Sequence, residues 1–235
     1  MKKALVLLFA CCLCHPAFAG LREGVAAYNA GRFDLALDEF TVAANQGSSE
    51  AQVSLGVMYE NGQGVLRDYE KALMWYRKAA DQGHFGAQNN LGLMYAAGRG
   101  VPKNATQAQV WFSKAAEQGF APAQNNLAEL YATGAAGGKK DYAKALEWNR
   151  KAAGQGFAIA HSDLGVMYEN AQGVPKNPVV AYTYYTIAAI GGYEPAAALR
   201  DSAGKKLNAD QRDKAIWAAQ TWRPGDALPG TTASQ

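Results

Sequence analysis

Ala51-Gln52-Val53-Ser54-Leu55-Gly56-Val57-Met58-Tyr59 returns 36 residues later as Ala87-Gln88-Asn89-Asn90-Leu91-Gly92-Leu93-Met94-Tyr95. A third copy begins at Ala123 with Leu127 and Tyr131, and a fourth at Ala160 with Leu164, Gly165, Met167 and Tyr168, displaced by one residue taken up in the loop from Gly134 to Lys140. Self-similarity at this period marks a repeat architecture in which each unit is one supersecondary element. Ala51, Leu55, Met58, Tyr59 and Gly62 fall at i, i+4, i+7, i+8 and i+11, which is one face of an α-helix.

A second motif recurs in step with the first. Ala72, Trp75 and Ala79-Ala80 become Ala108, Trp111 and Ala115-Ala116, then Ala145, Trp148 and Ala152-Ala153, then Ala181, Tyr184 and Ala188-Ala189. Each repeat therefore reads as two antiparallel helices. Asp68, Asn104, Asp141 and Asn177 stand where the second helix needs an N-cap, and Pro178 follows at the first helical position. Asn104 with Gln107 has the spacing of a capping box. Gly83, Gly119, Gly156 and Gly192 end the second helices, where a left-handed residue is required. Small residues at Gly56, Gly92 and Gly165 let helices approach, and Trp75, Trp111 and Trp148 fill the space between layers.

These residues resemble the Sel-one-like repeat (SLR) family, relatives of the tetratricopeptide repeat, whose unit reads A-x-x-x-L-G-x-x-Y-x-x-G-x-G-V and then D-x-x-K-A-x-x-W-x-x-K-A-A-x-Q-G. The first full copy carries Gly62, Gly64, Val65, Asp68, Lys71, Ala72, Trp75, Lys78, Ala79, Ala80, Gln82 and Gly83 in place. Ala128 replaces the packing glycine, Ala171 the loop glycine and Tyr184 the tryptophan, so looser geometry is expected around the third and fourth repeats. The resemblance implies an all-α fold: an α-solenoid of antiparallel helix pairs wound into a right-handed superhelix.

The expected organisation is a signal peptide over 1–19, a divergent tetratricopeptide-like pair over 20–50, four repeats over 51–195 (51–86, 87–122, 123–159, 160–195), capping helices over 196–222 and a disordered Pro/Gly/Thr tail over 223–235. In the divergent pair, Tyr28, Gly31, Ala36 and Ala43 carry the tetratricopeptide character. The signal rests on Lys2 and Lys3, the apolar run Ala4 to Leu13 and the small-x-small site Ala17-Phe18-Ala19, which places cleavage before Gly20. A lipoprotein acylated at Cys11 is the alternative. Periplasmic or secreted location is the expectation. No later stretch is apolar for long enough to cross a bilayer.

Composition narrows the chemistry. The chain of 235 residues has 47 alanines, 49% hydrophobic and 18% charged residues, a globular balance that excludes a disordered or collagen-like chain. Its three cysteines all precede residue 20, so the cleaved chain has neither disulfides nor a thiol nucleophile. Removing Lys2 and Lys3 leaves 21 basic against 20 acidic residues, without the basic excess that nucleic acid or an anionic membrane requires.

Two histidines remain, and the register assigns both to structure. His84 aligns with Phe120, Phe157 and Tyr193, an aromatic packing slot, and His161 with Gln52, Gln88 and Gln124, a slot on the helix surface. His161-Ser162-Asp163 cannot act as a triad, because consecutive helical residues point about 100° apart. Ser202-Ala203-Gly204-Lys205 matches the Ser-x-x-Lys pattern of penicillin-recognising enzymes, and some secreted SLR proteins are linked to β-lactam binding, so a cell-wall or β-lactam-binding hydrolase is the alternative reading. Its companion Ser-Asp-Asn and Lys-Thr-Gly motifs are absent from the sequence. Gly62-Gln63-Gly64 and Gly98-Arg99-Gly100 are turns that recur with the period, and Asn104-Ala105-Thr106 is a glycosylation sequon at a capping position. No catalytic group, metal site or cofactor is expected.

What remains is surface. The helical period points Val53, Val57 and Glu60 away from the core stripe, and likewise Asn89 and Leu93, Asn125 and Glu129, and Ser162, Val166 and Glu169. In tetratricopeptide-like solenoids the first helices line the inner curve, so these ten residues are the candidate contact face for a protein or peptide partner. The competing reading packs them against neighbouring first helices.

Overall fold

A computed structural model of the protein describes residues 16–231, with side chains from Gly20 onward. The expected signal peptide therefore lies outside the described residues, apart from the backbone of 16–19. The described residues form twelve helices and no strand, as the periodicity predicts: α1 (Pro16–Asn29), α2 (Phe33–Asn45), α3 (Ser49–Asn61), α4 (Tyr69–Asp81), α5 (Phe85–Ala97), α6 (Ala105–Glu117), α7 (Ala121–Thr133), α8 (Tyr142–Gly154), α9 (Ala158–Glu169), α10 (Pro178–Ile190), α11 (Pro195–Gly204) and α12 (Ala209–Thr221). They fall into two compact units, one of residues up to 87 with 99–101, the other of residues 88–98 with 102 onward.

The first unit packs α1 on α2, α2 on α3 and α3 on α4. Ala27, Ala36, Phe40, Ala43, Ala51, Leu55, Met58 and Trp75 form its core. The second unit packs α6 on α7, α7 on α8, α8 on α9 and α9 on α10, with one core around Ala108, Phe112 and Leu127 and a larger one around Leu164, Met167, Tyr168, Tyr184 and Tyr185. The caps form as read: Asp68, Asn104, Asp141 and Asn177 accept hydrogen bonds of 2.9–3.1 Å from the backbone N–H groups of Lys71, Gln107, Lys144 and Val180. At Asn104 only half of the capping box forms. The reciprocal pair closes at Asn208 and Gln211, which start α12.

One close contact recurs in four of the helix pairs. A Cβ at Gly56 would lie 2.4 Å from the Tyr76 ring, at Gly92 2.4 Å from Phe112, at Gly165 2.5 Å from Tyr185 and at Gly24 2.6 Å from Phe40. The glycine thus lets an aromatic ring of the partner helix rest on bare backbone. In the third repeat Ala128 carries the extra methyl, and the facing position holds Asn149 instead of an aromatic ring. The looseness expected at Ala128 is therefore compensated across the pair, since the smaller side chain restores the volume that the methyl consumes. Ala171 is different: it keeps φ at +56°, the only non-glycine residue with positive φ among those described. α9 ends a residue earlier than its counterparts, with Asn170 as its C-cap.

Candidate functional site

The ten predicted face residues separate into three environments. Leu93 is 43% exposed and Glu129 is exposed, whereas Val53 and Val57 are half-buried. Val53 and Val57 line an apolar depression of about 200 Å³ with Val25, Tyr28 and Phe40. Val166 is half-buried against the second unit's core. Glu60 accepts the Tyr76 hydroxyl at 2.8 Å and pairs with Arg99 at 3.0 Å. Glu169 does the same for Tyr185, at 2.9 Å, and for Lys206. Both glutamates thus hold the outer end of the aromatic ring whose face covers Gly56 or Gly165.

Asn89, Asn125 and Ser162 do not point away from the fold; all three are buried, which corrects the expectation from helical angle alone. Asn89 and Asn125 meet short polar groups of the next first helix, α5 against α7 and α7 against α9. Asn89 accepts from Asn126 at 2.9 Å, and Asn125 donates to Asn149 at 3.0 Å and to the Asp163 carboxylate. Burial raises the pKa of Asp163 and the charge of Glu129 raises it further, while the Asn125 hydrogen bond opposes both.

A second set of polar groups links helices at the repeat period. Gln52 and Gln124 donate to the carbonyls of Ala44 and Ala116, at 3.1 and 3.2 Å. Gln52, Gln88 and Gln124 accept from Gln82, Gln118 and Gln155 at 2.7–2.8 Å. In the fourth repeat the pair becomes His161 and Gly191. His161 is therefore buried, 1% exposed, and not a surface residue as its alignment with glutamines suggested. Burial drives its pKa down to about 4, only partly opposed by the Ala153 carbonyl. His84 serves the start of the next helix, where its Nδ1 accepts the Ala87 N–H at 3.2 Å in the first turn of α5.

The lysine three residues after each tryptophan covers the indole, with Nζ to ring-centre distances of 4.0 Å for Lys78 on Trp75, 4.1 Å for Lys114 on Trp111 and 3.9 Å for Lys151 on Trp148. In the fourth repeat that pair is Tyr184 and Ile187. Here Tyr168 stacks on Tyr184, centroids 5.7 Å apart, and the C-terminal segment packs beside the two rings. Trp222 stands edge-on to His161, centroids 4.6 Å apart at 77°. Pro224 rests against Gly156, Gly225 N–H donates to the Gly154 carbonyl at 3.0 Å, and Leu228 joins the core of this unit. Tyr184 donates to the Pro229 carbonyl at 2.8 Å and Tyr168 to that of Gly230 at 3.2 Å.

The segment over 223–231, expected to be disordered, is therefore ordered, and its turn chemistry explains why. Arg223-Pro224-Gly225-Asp226 and Leu228-Pro229-Gly230-Thr231 each close an i→i+3 bond, at 3.0 and 3.1 Å, with glycine φ of +94° and +75°. Proline at i+1 and a positive-φ glycine at i+2 are what a type II turn requires. The Asp226 carboxylate also accepts the Arg223 N–H at 2.8 Å. Proline and glycine here specify a shape. Residues 232–235 lie outside the described residues.

Ser202 and Lys205 are both exposed on or just beyond α11, and no hydrogen bond joins them. Among the described residues no three His, Cys, Asp or Glu side chains cluster to hold a metal ion, and no helix is long and apolar enough to cross a membrane.

Comparison with known proteins matches the Sel1 repeat at residues 49–84, 86–120, 121–157 and 158–193, more than half of the chain. No curated protein sequence matches. Among solved structures, a Sel1 repeat protein from Oxalobacter formigenes is 34% identical with a TM-score of 0.74, over 88% of this chain and 82% of that one. The protective antigen c5321 of uropathogenic Escherichia coli, which displays an SLR fold, is also 34% identical with a TM-score of 0.75; the match covers 87% of this chain but 45% of the antigen. Immunity protein Pa5087 from Pseudomonas aeruginosa is 25% identical over 90% of this chain and 84% of its own, with a TM-score of 0.56.

Proposed function

The chain belongs to the Sel1 repeat family, and on that premise we propose that it is a non-enzymatic scaffold that binds a protein partner, in the periplasm or outside the cell after loss of residues 1–19. One observation carries the reading. The polar side chains that recur with the repeat, Gln52, Gln124, Asn89, Asn125, Glu60 and Glu169, are spent on bonds between helices. What is left to meet another molecule is surface, of which, on the predicted contact face, the exposed Leu93 and the depression beside Val57 are apolar. A protective antigen and an immunity protein among the structural neighbours fit a chain that acts by contact.

The test is affinity capture from a periplasmic extract with the wild-type chain and with Leu93→Glu and Val57→Asp. A partner lost in either variant supports the reading, and capture indifferent to both sinks the face assignment. Incubation with a fluorescent penicillin separates the scaffold from the hydrolase. The expected result is no covalent label; a reproducible adduct on Ser202 reverses the conclusion.

A further inference from the structure

We propose that the groove of α8, α9 and α10 is a binding site for a tryptophan-led Pro-Gly segment of a partner protein, and that residues 222–231 fill it in cis until such a segment displaces them. The inference rests on the scaffold reading and adds a place, a ligand chemistry and a control to it.

The groove is a departure from the repeat. Gln with Gln becomes His161 with Gly191, and Trp with Lys becomes Tyr184 with Ile187. Two of those four residues, His161 and Tyr184, touch the C-terminal segment, by ring contact and by hydrogen bond. On α9, His161 and Tyr168 are seven residues apart and share a stripe, about 100° from that of Ser162, Val166 and Glu169. The groove is thus separate from the face containing Val166.

The way the groove holds the segment suits a ligand. Tyr168 and Tyr184 read main-chain carbonyls, and the Gly154 carbonyl takes a main-chain N–H, contacts that any segment of the same shape can make. Selectivity comes from the aromatic place beside His161 and the apolar place of Leu228. The two turns preform the segment, which lowers the entropy cost of docking. Residues 223–227 are exposed even when docked, and the buried Trp222 indole N–H has no hydrogen-bond partner. The cis ligand is therefore incompletely satisfied, and its Trp222 N–H caps α12 on the Ala218 carbonyl at 3.1 Å.

The full chain is used for the test, as wild type and as the double variant Trp222→Ala/Leu228→Ala, with a fluorescein-labelled peptide of residues 220–231 as probe. A tethered segment acts at an effective concentration of ~mM. The peptide should therefore bind the double variant saturably by anisotropy, and wild type at least about tenfold more weakly. Adding Tyr168→Phe and Tyr184→Phe to the double variant should abolish binding, and a scrambled peptide should not bind. In wild type, excess peptide should remove hydrogen-exchange protection at Gly225. No binding to a double variant whose circular dichroism is native, or equal binding to wild type, overturns the proposal. Neither result touches the capture experiment at Leu93 and Val57, so the two readings fail separately.

Discussion

The Trp222 indole meets the His161 imidazole edge-on at 4.6 Å, on a histidine that is 1% exposed and replaces the glutamine of every other repeat. Burial holds that imidazole near a pKa of about 4, below its ordinary 6.5. Between those values the unfolded chain binds a proton that the folded chain refuses, so stability is lost as pH falls from about 6.5 toward 4. The expected loss is on the order of 3 kcal/mol. His161→Gln should flatten that slope in urea unfolding at pH 7, 6, 5 and 4. Asp163, with its raised pKa, has the opposite sign just above 3.8 and is common to both proteins, so their difference isolates His161. Equal slopes would show that His161 is not buried as the neutral form.

Gly92→Ala drives a methyl into the Phe112 ring, at 2.4 Å before any adjustment. It should cost about 1–3 kcal/mol by overpacking, despite the better helix propensity of alanine. Ala128→Gly, opposite the smaller Asn149, should cost only about 1 kcal/mol, from backbone entropy. A stabilising Gly92→Ala in urea unfolding would mean that the helix pair separates without penalty.

Ala171→Gly should raise stability by about 1 kcal/mol, because φ of +56° crowds an alanine Cβ and glycine removes that crowding. The denaturation midpoint should rise with an unchanged m-value. A fall in the midpoint would place the residue outside the left-handed region in solution.

Trp111 is 4% exposed in the middle of the repeats, and Trp111→Ala should cost about 3–5 kcal/mol. Trp222→Ala should cost clearly less, because this half-buried ring lies after α12 and anchors a strap of turns, not a helix packed between two others. Its main effect should be loss of exchange protection at Gly225. Equal destabilisation by the two changes would make the strap part of the cooperative core.

Expressed in a bacterial host from Met1, the chain should be recovered with Gly20 at its N-terminus and melt at the same temperature with or without reductant, since no cysteine follows Cys14. Mass spectrometry checks the first point and a thermal scan the second. An acylated Cys11 would instead anchor the chain to a membrane and overturn the cleavage reading.

The helix pairs, their caps and the residues of the core were legible in the amino-acid order alone, because helix period, N-cap chemistry and helix-ending glycine are local requirements written once per repeat. Asp68, Asn104, Asp141 and Asn177 cap where the spacing put them. Position on one helix could not reveal what faced it across a repeat boundary. Asn89 and Asn125 point off their own helix's core stripe yet are buried, since a neighbouring helix supplies the second wall. Ala128 was visible as a departure, but only the facing helix shows that Asn149 compensates it. The strap was hidden for a related reason. Pro-Gly composition describes chain stiffness and turn geometry, whereas docking depends on His161, Tyr168 and Tyr184, which lie tens of residues away and converge only when α9 packs against α10.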